Sequence, residues 1–227
     1  MSAIRFAADV MAADLGRLEE QFKALEAAGC HELHFNVQDG AYAPVITLGP
    51  SFVRLAKRCC GLPCAVHLLT ERPDRHIDAF VAAGADAIVV QQETDIHIQR
   101  TLTRIREAGI SPGVAIGPSV TMTKLEYSLD YVDRVLLLAT EPGAHRTNIL
   151  PETFDRTRIL KANLGHRQLR AVIETEGAMT VKDAALLVNL GALSLVLGVK
   201  TLFQKDKSIV DAFTEFQNGL AVERNLV

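Results

Sequence analysis

Eight short apolar, β-branched runs alternate along this chain with segments of helical spacing, and no other feature constrains the fold as strongly. The runs are Ile4 to Asp9, Glu32 to Gln38, Cys64 to Leu68, Ala87 to Gln91, Gly113 to Ile116, Arg134 to Leu138, Ala171 to Glu174 and Ser194 to Leu197. Helical spacing occupies Leu15 to Ala28, Pro50 to Cys59, Pro73 to Ala83, Ile98 to Ala108, Thr123 to Leu129, Pro151 to Leu164, Thr180 to Leu190 and Ser208 to Asn218. Start signals mark several of these: Asp14 before Leu15, the leading prolines Pro50, Pro73 and Pro151, and Thr180 three residues ahead of Asp183. Small turns, Ala28-Gly29, Ala83-Gly84-Ala85-Asp86, Ala108-Gly109 and Leu190-Gly191-Ala192, then lead to the next strand, and glycine there suits a left-handed helix end. Each strand, helix and short return makes a β-α unit with parallel neighbours, and eight such units are the number that closes a barrel. A doubly wound open sheet is the rival, but no Gly-x-Gly-x-x-Gly fingerprint follows the first strand. The expected fold is α/β, a single (β/α)8 TIM barrel.

A chain of 227 residues with 48% hydrophobic content suits one domain over residues 1–227. The net charge is -3 and the basic residues are scattered, so there is no electrostatic footprint for nucleic acid. The start, Met1-Ser2-Ala3-Ile4-Arg5, lacks the pattern of a secretory signal. The apolar stretch from Ala184 to Val199 is broken by Asn189, Gly191 and Ser194, so no membrane span is expected and the reading is cytoplasmic. Cys30, Cys59, Cys60 and Cys64 lack the spaced pairs of a zinc knuckle and read as ordinary buried or half-exposed thiols.

In a closed parallel barrel the carboxyl ends of the strands meet at one mouth. His34 and Asn36 stand near the end of the second run, His67 near the end of the third and Glu176 at that of the seventh. Two imidazoles, a carboxamide and a carboxylate are therefore expected to converge there. A lone histidine in an apolar strand is more often a satisfied core residue, so the argument rests on the set. Asp39 ahead of Gly40 reads mainly as turn chemistry. Glu93, at the fourth strand's end, reads as a loop cap or a proton relay. His31, His76, His97 and His166 fall near helix ends or in loops and read as surface residues.

Several collinear blocks carry a family resemblance. They are Ala12-Ala13-Asp14; His34 to Gly40, running on to Pro44-Val45-Ile46-Thr47-Leu48-Gly49-Pro50; Val66-His67-Leu68; Arg72-Pro73-Asp74; Ala83 to Asp86; Glu141-Pro142-Gly143; and Glu174-Thr175-Glu176-Gly177, continuing to Gly198. The chain resembles the ribulose-phosphate 3-epimerase family over nearly its whole length. The resemblance implies a metal-assisted enzyme that removes a proton beside a ketose carbonyl and returns one to the opposite face. Two carboxylates, from a His-x-Asp and an Asp-Gly-Gly motif, would handle the protons and bind the metal with two histidines, and the metal would stabilise the enediolate.

His34 and His67 match the two imidazole ligands, but Asn36 stands at the first carboxylate position and Glu176 at the second. A carboxamide cannot act as a general base near neutral pH. Glutamate keeps the acid and adds a methylene, a displacement of about 1 Å or more where placement is tight. Asp9, Gln38, Leu69 and Leu138 replace the serine and methionines expected around such a site, and Asp9 and Gln38 are read as substrate-binding. The phosphate grip is altered as well: Gly143-Ala144-His145-Arg146-Thr147-Asn148, Gly177-Ala178 and Gly198-Val199-Lys200 retain only part of the glycine content. Gly143, Arg146, Gly177 and Gly198 are assigned to the substrate anion, and Lys200 either joins them or faces solvent. His34, His67 and Glu176 are the expected ligands of a divalent metal, zinc or similar, while one fewer anionic ligand leaves an empty site open. The leading reading is an epimerase or isomerase of a small phosphorylated ketose or related anionic sugar, with Glu176 as acid/base, His34 and His67 on metal or carbonyl, and Asn36 orienting substrate. A lyase or decarboxylase using an enediolate-like intermediate, and a silent sugar-phosphate-binding barrel, stay open. Related barrels commonly self-associate, so a homo-oligomer is expected.

Overall fold

The computed structural model describes residues 3–143 and 148–226. Eight strands, β1 (Arg5–Asp9), β2 (Glu32–Gln38), β3 (Cys64–Leu69), β4 (Ala87–Gln91), β5 (Ser111–Ile116), β6 (Arg134–Leu138), β7 (Val172–Glu176) and β8 (Ser194–Leu197), form one closed parallel barrel. Closure is made by β8 pairing with β1, Phe6 opposite Leu195 and Ala8 opposite Leu197. Around it lie α1 (Leu18–Ala27), α2 (Pro50–Cys59), α3 (Ile77–Ala83), α4 (Ile98–Glu107), α5 (Glu152–His166), α6 (Val181–Leu190) and α7 (Ile209–Arg224). None of the described helices is long and apolar enough to cross a membrane.

The start and stop chemistry reads directly into the coordinates. Thr180 and Asp183 close a reciprocal capping box on α6, satisfying two amides that a helix start would leave unpaired. Gly84 and Gly191 end α3 and α6 at φ 93° and 114°, a left-handed geometry that costs other residues about 1 kcal/mol or more.

One expected helix is absent. Between β5 and β6 the segment around Thr123 to Leu129 forms two 3₁₀ turns, Met122–Leu125 and Leu129–Tyr131. Each turn still buries its leucine, Leu125 or Leu129, so the apolar spacing was real. The Ser128 hydroxyl donates to Gln92 Oε1 at 2.5 Å where the turns meet, a side-chain alternative to helical hydrogen bonding. Arg156 on α5 holds the preceding loop through the carbonyls of Gly117, Pro118 and Val120 at 2.8–2.9 Å. Strand β7 also runs two residues further than its apolar pattern suggests, and this carries Glu176 onto the barrel wall.

Strand alternation divides the core into two layers. Outward residues such as Leu33, Phe35, Val66 and Ile88 pack beneath the helices, with Phe35 edge-on to Phe22 of α1 at 6.3 Å. Inward residues Ala7, Leu69, Val89, Ala115, Leu136, Leu138 and Val196 fill the barrel's centre. Each fully buried Phe or Leu stabilises the fold by roughly 1.5–3 kcal/mol. At the amino-terminal end of the bore, the Arg134 guanidinium takes both oxygens of Glu32 at 2.6 and 2.9 Å and reaches Glu174 at 3.4 Å. Ser194 donates to the same Glu174 oxygen at 2.6 Å, completing a polar plug.

Candidate active site at the barrel mouth

Barrel register brings the expected residues together. Asp9 pairs across the sheet with His34, Asn36 with His67, and Leu138 with Glu176, so their inward side chains meet in the upper bore. His34 and His67 are completely buried, and their rings lie edge to face at 5.7 Å. His34 Nε2 is 3.3 Å from Glu176 Oε2, and His67 Nδ1 is 3.4 Å from the same oxygen. These three ligand-type atoms lie within 4.8 Å of one another.

Hydrogen bonding fixes how Asn36, His67 and Glu176 present themselves. Gln91, at the end of β4, donates its amide to Tyr42 Oη at 2.8 Å and to Glu93 Oε1 at 2.9 Å. Its carbonyl oxygen therefore faces His67 Nε2 at 2.9 Å, which places the ring proton on Nε2. Nδ1 of His67 is left as a lone pair directed at Asn36 Oδ1, 3.0 Å away, and at Glu176 Oε2. Asn36 cannot turn round, because its Nδ2 donates to Asp9 Oδ1 at 3.2 Å and to Glu176 Oε1. Among the described residues, His34 Nε2 and Glu176 Oε2 are buried without a hydrogen-bond partner. With His34 neutral and the His67 proton on Nε2, acceptors surround one point, an arrangement that a cation resolves. On this donor chemistry His34, His67 and Glu176 fit a divalent metal, with two nitrogens and one carboxylate leaving positions open.

Without an ion, a proton on His34 takes the place of the cation. Burial opposes a charge on His34, but the Glu176 carboxylate outweighs it and lifts the imidazole to about 9. Burial alone would raise Glu176, yet His34 and His67 hold it well below the usual carboxylate range. Asp9, desolvated and beside the Glu176 charge, is pushed up to about 7. The pocket is acid-rich and draws positive charge to itself.

Above the cluster opens a cavity of about 310 Å³, the size of a small-molecule site. Its wall includes Asp9, Asn36, Gln38, Glu176, Gly143, Gly177, Gly198 and Lys200. Gln38 is buried, donates to the Met11 sulfur at 3.8 Å and keeps Oε1 unpaired. Leu69 and Leu138 supply the apolar wall. Gly143 and Gly177 have φ of 76° and 151°, and a side chain at Gly177 would meet Ala139 Cβ at 2.9 Å. Lys200 is exposed and donates to Asn148 at 3.2 Å. Arg146 lies outside the described residues.

Several expectations resolve as structural. Asp39 accepts the amides of Ala41, Tyr42 and Glu71 and is a turn organiser. Glu93 receives Tyr42 Oη and the amide of Gly117, bracing two loops over the barrel. Cys30 and Cys64 are buried, and Cys59 and Cys60 are half-buried free thiols. Gln91 and Tyr42 were not singled out from sequence. The inward parity of residues 87, 89 and 91 in β4 could have flagged Gln91, whereas Tyr42 arrives from a loop 49 residues away.

Fold and site together define an (β/α)8 barrel enzyme class with a His-His-carboxylate mouth. The chain belongs to the ribulose-phosphate 3-epimerase family, whose sequence model matches residues 5–202. It is 32% identical to the ribulose-phosphate 3-epimerase of Bacillus subtilis, over 90% of this chain and 94% of that relative. The Escherichia coli K12 protein of the same name is 31% identical over 93% and 95% of the two chains. Among solved structures, the tryptophan synthase α-subunit of Pyrococcus furiosus superposes with a TM-score of 0.66 at 16% identity, covering 99% of this chain and 98% of that one. That likeness speaks for the barrel alone.

Proposed function

We propose that the protein is an epimerase of a small phosphorylated ketose, and that it works by proton transfer at the carbon beside the carbonyl. The observation that carries this reading is the convergence of His34 Nε2, His67 Nδ1 and Glu176 Oε2 on one point beneath the cavity, with His67 and Glu176 oriented by hydrogen bonds from their neighbours. Family membership supports the reaction class and the phosphorylated substrate.

Glu176 is the acid/base: its Oε1 is aligned by Asn36, and both residues line the cavity. Asn36 positions; it holds two carboxylates and shows its carbonyl oxygen to His67. His34 and His67 with Glu176 would hold a divalent ion, which when bound supplies charge stabilisation for the enediolate oxygens. The rings and Leu69 and Leu138 keep the floor of the site free of water. Backbone at Gly143, Gly177 and Gly198 supports the reading of an anion held at the far wall, with Lys200 at the rim. The carboxamide at 36 keeps one second reading in view, carbon-carbon cleavage through the same intermediate, which needs proton handling on one face only.

The test combines metal analysis of the purified protein with turnover of ribulose 5-phosphate by the wild type and Glu176→Gln. The expected result is bound divalent metal, accumulation of the C3 epimer, and a loss of roughly 10²–10⁴-fold in the variant. Full activity in Glu176→Gln removes the assignment, and a cleaved product selects the second reading.

A further inference from the structure

Epimerisation asks for a proton-handling group on each face of one carbon, and a carboxamide at position 36 cannot be either of them. We propose that Asp9, at the end of β1, is the second acid/base of the reaction, so that the carboxylate missing from β2 stands on the neighbouring strand. This rests on the reading of Glu176 given above.

The amide of Asn36 shows the relation. Its nitrogen has two hydrogens, and both go to carboxylates, one to Asp9 Oδ1 at 3.2 Å and one to Glu176 Oε1. Asp9 and Glu176 therefore face the same cavity, and the two oxygens that share the Asn36 nitrogen are roughly 5 Å apart. A carbon attended by an oxygen on each side needs a spacing of roughly 6–7 Å, so the oxygen of Asp9 that would flank it is the one not tied to Asn36. Asp9 Oδ1 is further held by the Met11 amide at 3.0 Å. Its other oxygen, Oδ2, faces the end of β8, where a β-carbon on Gly198 would sit 3.7 Å from it. One oxygen is anchored and the other is presented to the cavity.

Asn36 is then the complement of Asp9. A third carboxylate at 36 would stand between two others with no N–H to offer either, whereas the amide has the same shape and two donors. In turnover one carboxylate takes the proton from C3, and the C–H electron pair becomes the second bond of the enediolate as the C2 carbonyl oxygen gains charge. The opposite carboxylic acid then gives its proton to the other face of C3, and the carbonyl re-forms. No electrons are gained or lost overall, and the swapped protonation states reset through solvent.

Asp9 also caps the 3₁₀ turn Val10–Ala12 through the Met11 amide. Asparagine and serine cap equally well, so Asp9→Asn and Asp9→Ser separate capping from proton transfer. Wild type, Asp9→Asn and Glu176→Gln, each confirmed folded by thermal melting and each loaded with the same divalent ion, are incubated in D₂O. Ribulose 5-phosphate and its C3 epimer are supplied separately, and NMR follows deuterium at C3 and conversion between the two. We expect epimerisation to fall roughly 10²–10⁴-fold in both variants. Asp9→Asn retains C3 exchange from one epimer only, and Glu176→Gln from the other only. The double variant Asp9→Ser with Asn36→Asp regains exchange that Asp9→Ser alone has lost. Wild-type epimerisation by Asp9→Asn overturns the proposal and leaves Glu176 in place. Parallel loss of exchange from both epimers in Asp9→Asn also overturns it, because a binding or structural role lowers the two together. A wild type that exchanges neither epimer overturns this proposal and the epimerase reading alike.

Discussion

The two ends of the barrel's bore hold buried acids of the same kind and treat them in opposite ways. At the amino-terminal end Glu32 and Glu174 share the Arg134 guanidinium, with Ser194 taking part of the remaining valence. Burial opposes the charge on Arg134, and the Glu174 and Glu32 carboxylates outweigh it and raise it further above its ordinary value. At the carboxyl end Asp9 and Glu176 share only a neutral amide, and the rings that face Glu176 carry a charge only when a proton is bound. A protein that supplies its own cation builds a closed, permanent plug; one that leaves the cation out builds a site. The ends are connected, because Glu174 Oε1 lies 3.9 Å from His34 Nδ1, too far for a hydrogen bond and near enough to favour a proton on that side of the ring.

The largest effect expected from this contrast is at the plug. Arg134→Met leaves Glu174 buried without its cation and Glu32 with only Arg5, 4.0 Å away, and removing one partner of such a buried pair costs about 3–5 kcal/mol. Chemical denaturation of the metal-free protein would show it, and turnover per folded molecule should change far less than stability. Were Arg134→Met to keep the wild-type midpoint, the plug would not be the closed unit described here.

The mouth should answer to an added ion instead. A divalent metal at a hundred times its dissociation constant stabilises the folded chain by about 2.7 kcal/mol, a rise in Tm of roughly 5–10 °C for a domain of this size. Replacing His34 by Asn should remove that rise, and Arg134→Met, although unstable, should keep it. A metal-independent Tm in the wild type would mean that the mouth balances its charges without a cation, as the plug does.

How much of this was legible in the chain depends on distance along it. Strands β2, β4, β6 and β8 carry bounds identical to those of their apolar runs, because strand pattern and turn glycines are local signals. The residues between β5 and β6 misled for a local reason: leucine spacing suits a helix, and only the contacts of Ser128 and Arg156 with distant elements decide for two short turns. His34, His67 and Glu176 could be gathered from strand ends because closure of the barrel gathers all strand ends. The plug was not visible, since Glu32, Arg134 and Glu174 are separated by up to 142 residues, and nothing local in the sequence says that two acids, one at the start of β2 and one in the middle of β7, meet the guanidinium at the start of β6. Asp9 and Asn36 could each be noted as an altered residue, but that the two changes compensate is a statement about a 3.2 Å contact.

Gln91 offers the finest test of the contrast, because it carries no charge and lies outside the wall of the cavity. Its carbonyl oxygen keeps the proton of His67 on Nε2, and its own amide is kept from rotating by Tyr42 and Glu93. Leucine at 91 fills similar space but cannot hold the ring proton, so Nδ1 would spend part of its time protonated and unable to meet a cation. Loss of such an outer hydrogen bond typically weakens metal affinity by roughly 10–100-fold. Titration calorimetry on Gln91→Leu should show that loss, with a smaller one for Tyr42→Phe, which removes only one of the two anchors on the Gln91 amide. In the metal-free proteins, ¹⁵N shifts of the His67 ring should report the tautomer directly, Nε2–H in the wild type and a mixture in Gln91→Leu. An unchanged tautomer in that variant would show that the ring is oriented from the side of Asn36 and Glu176, and that Gln91 does not set how the mouth meets a cation.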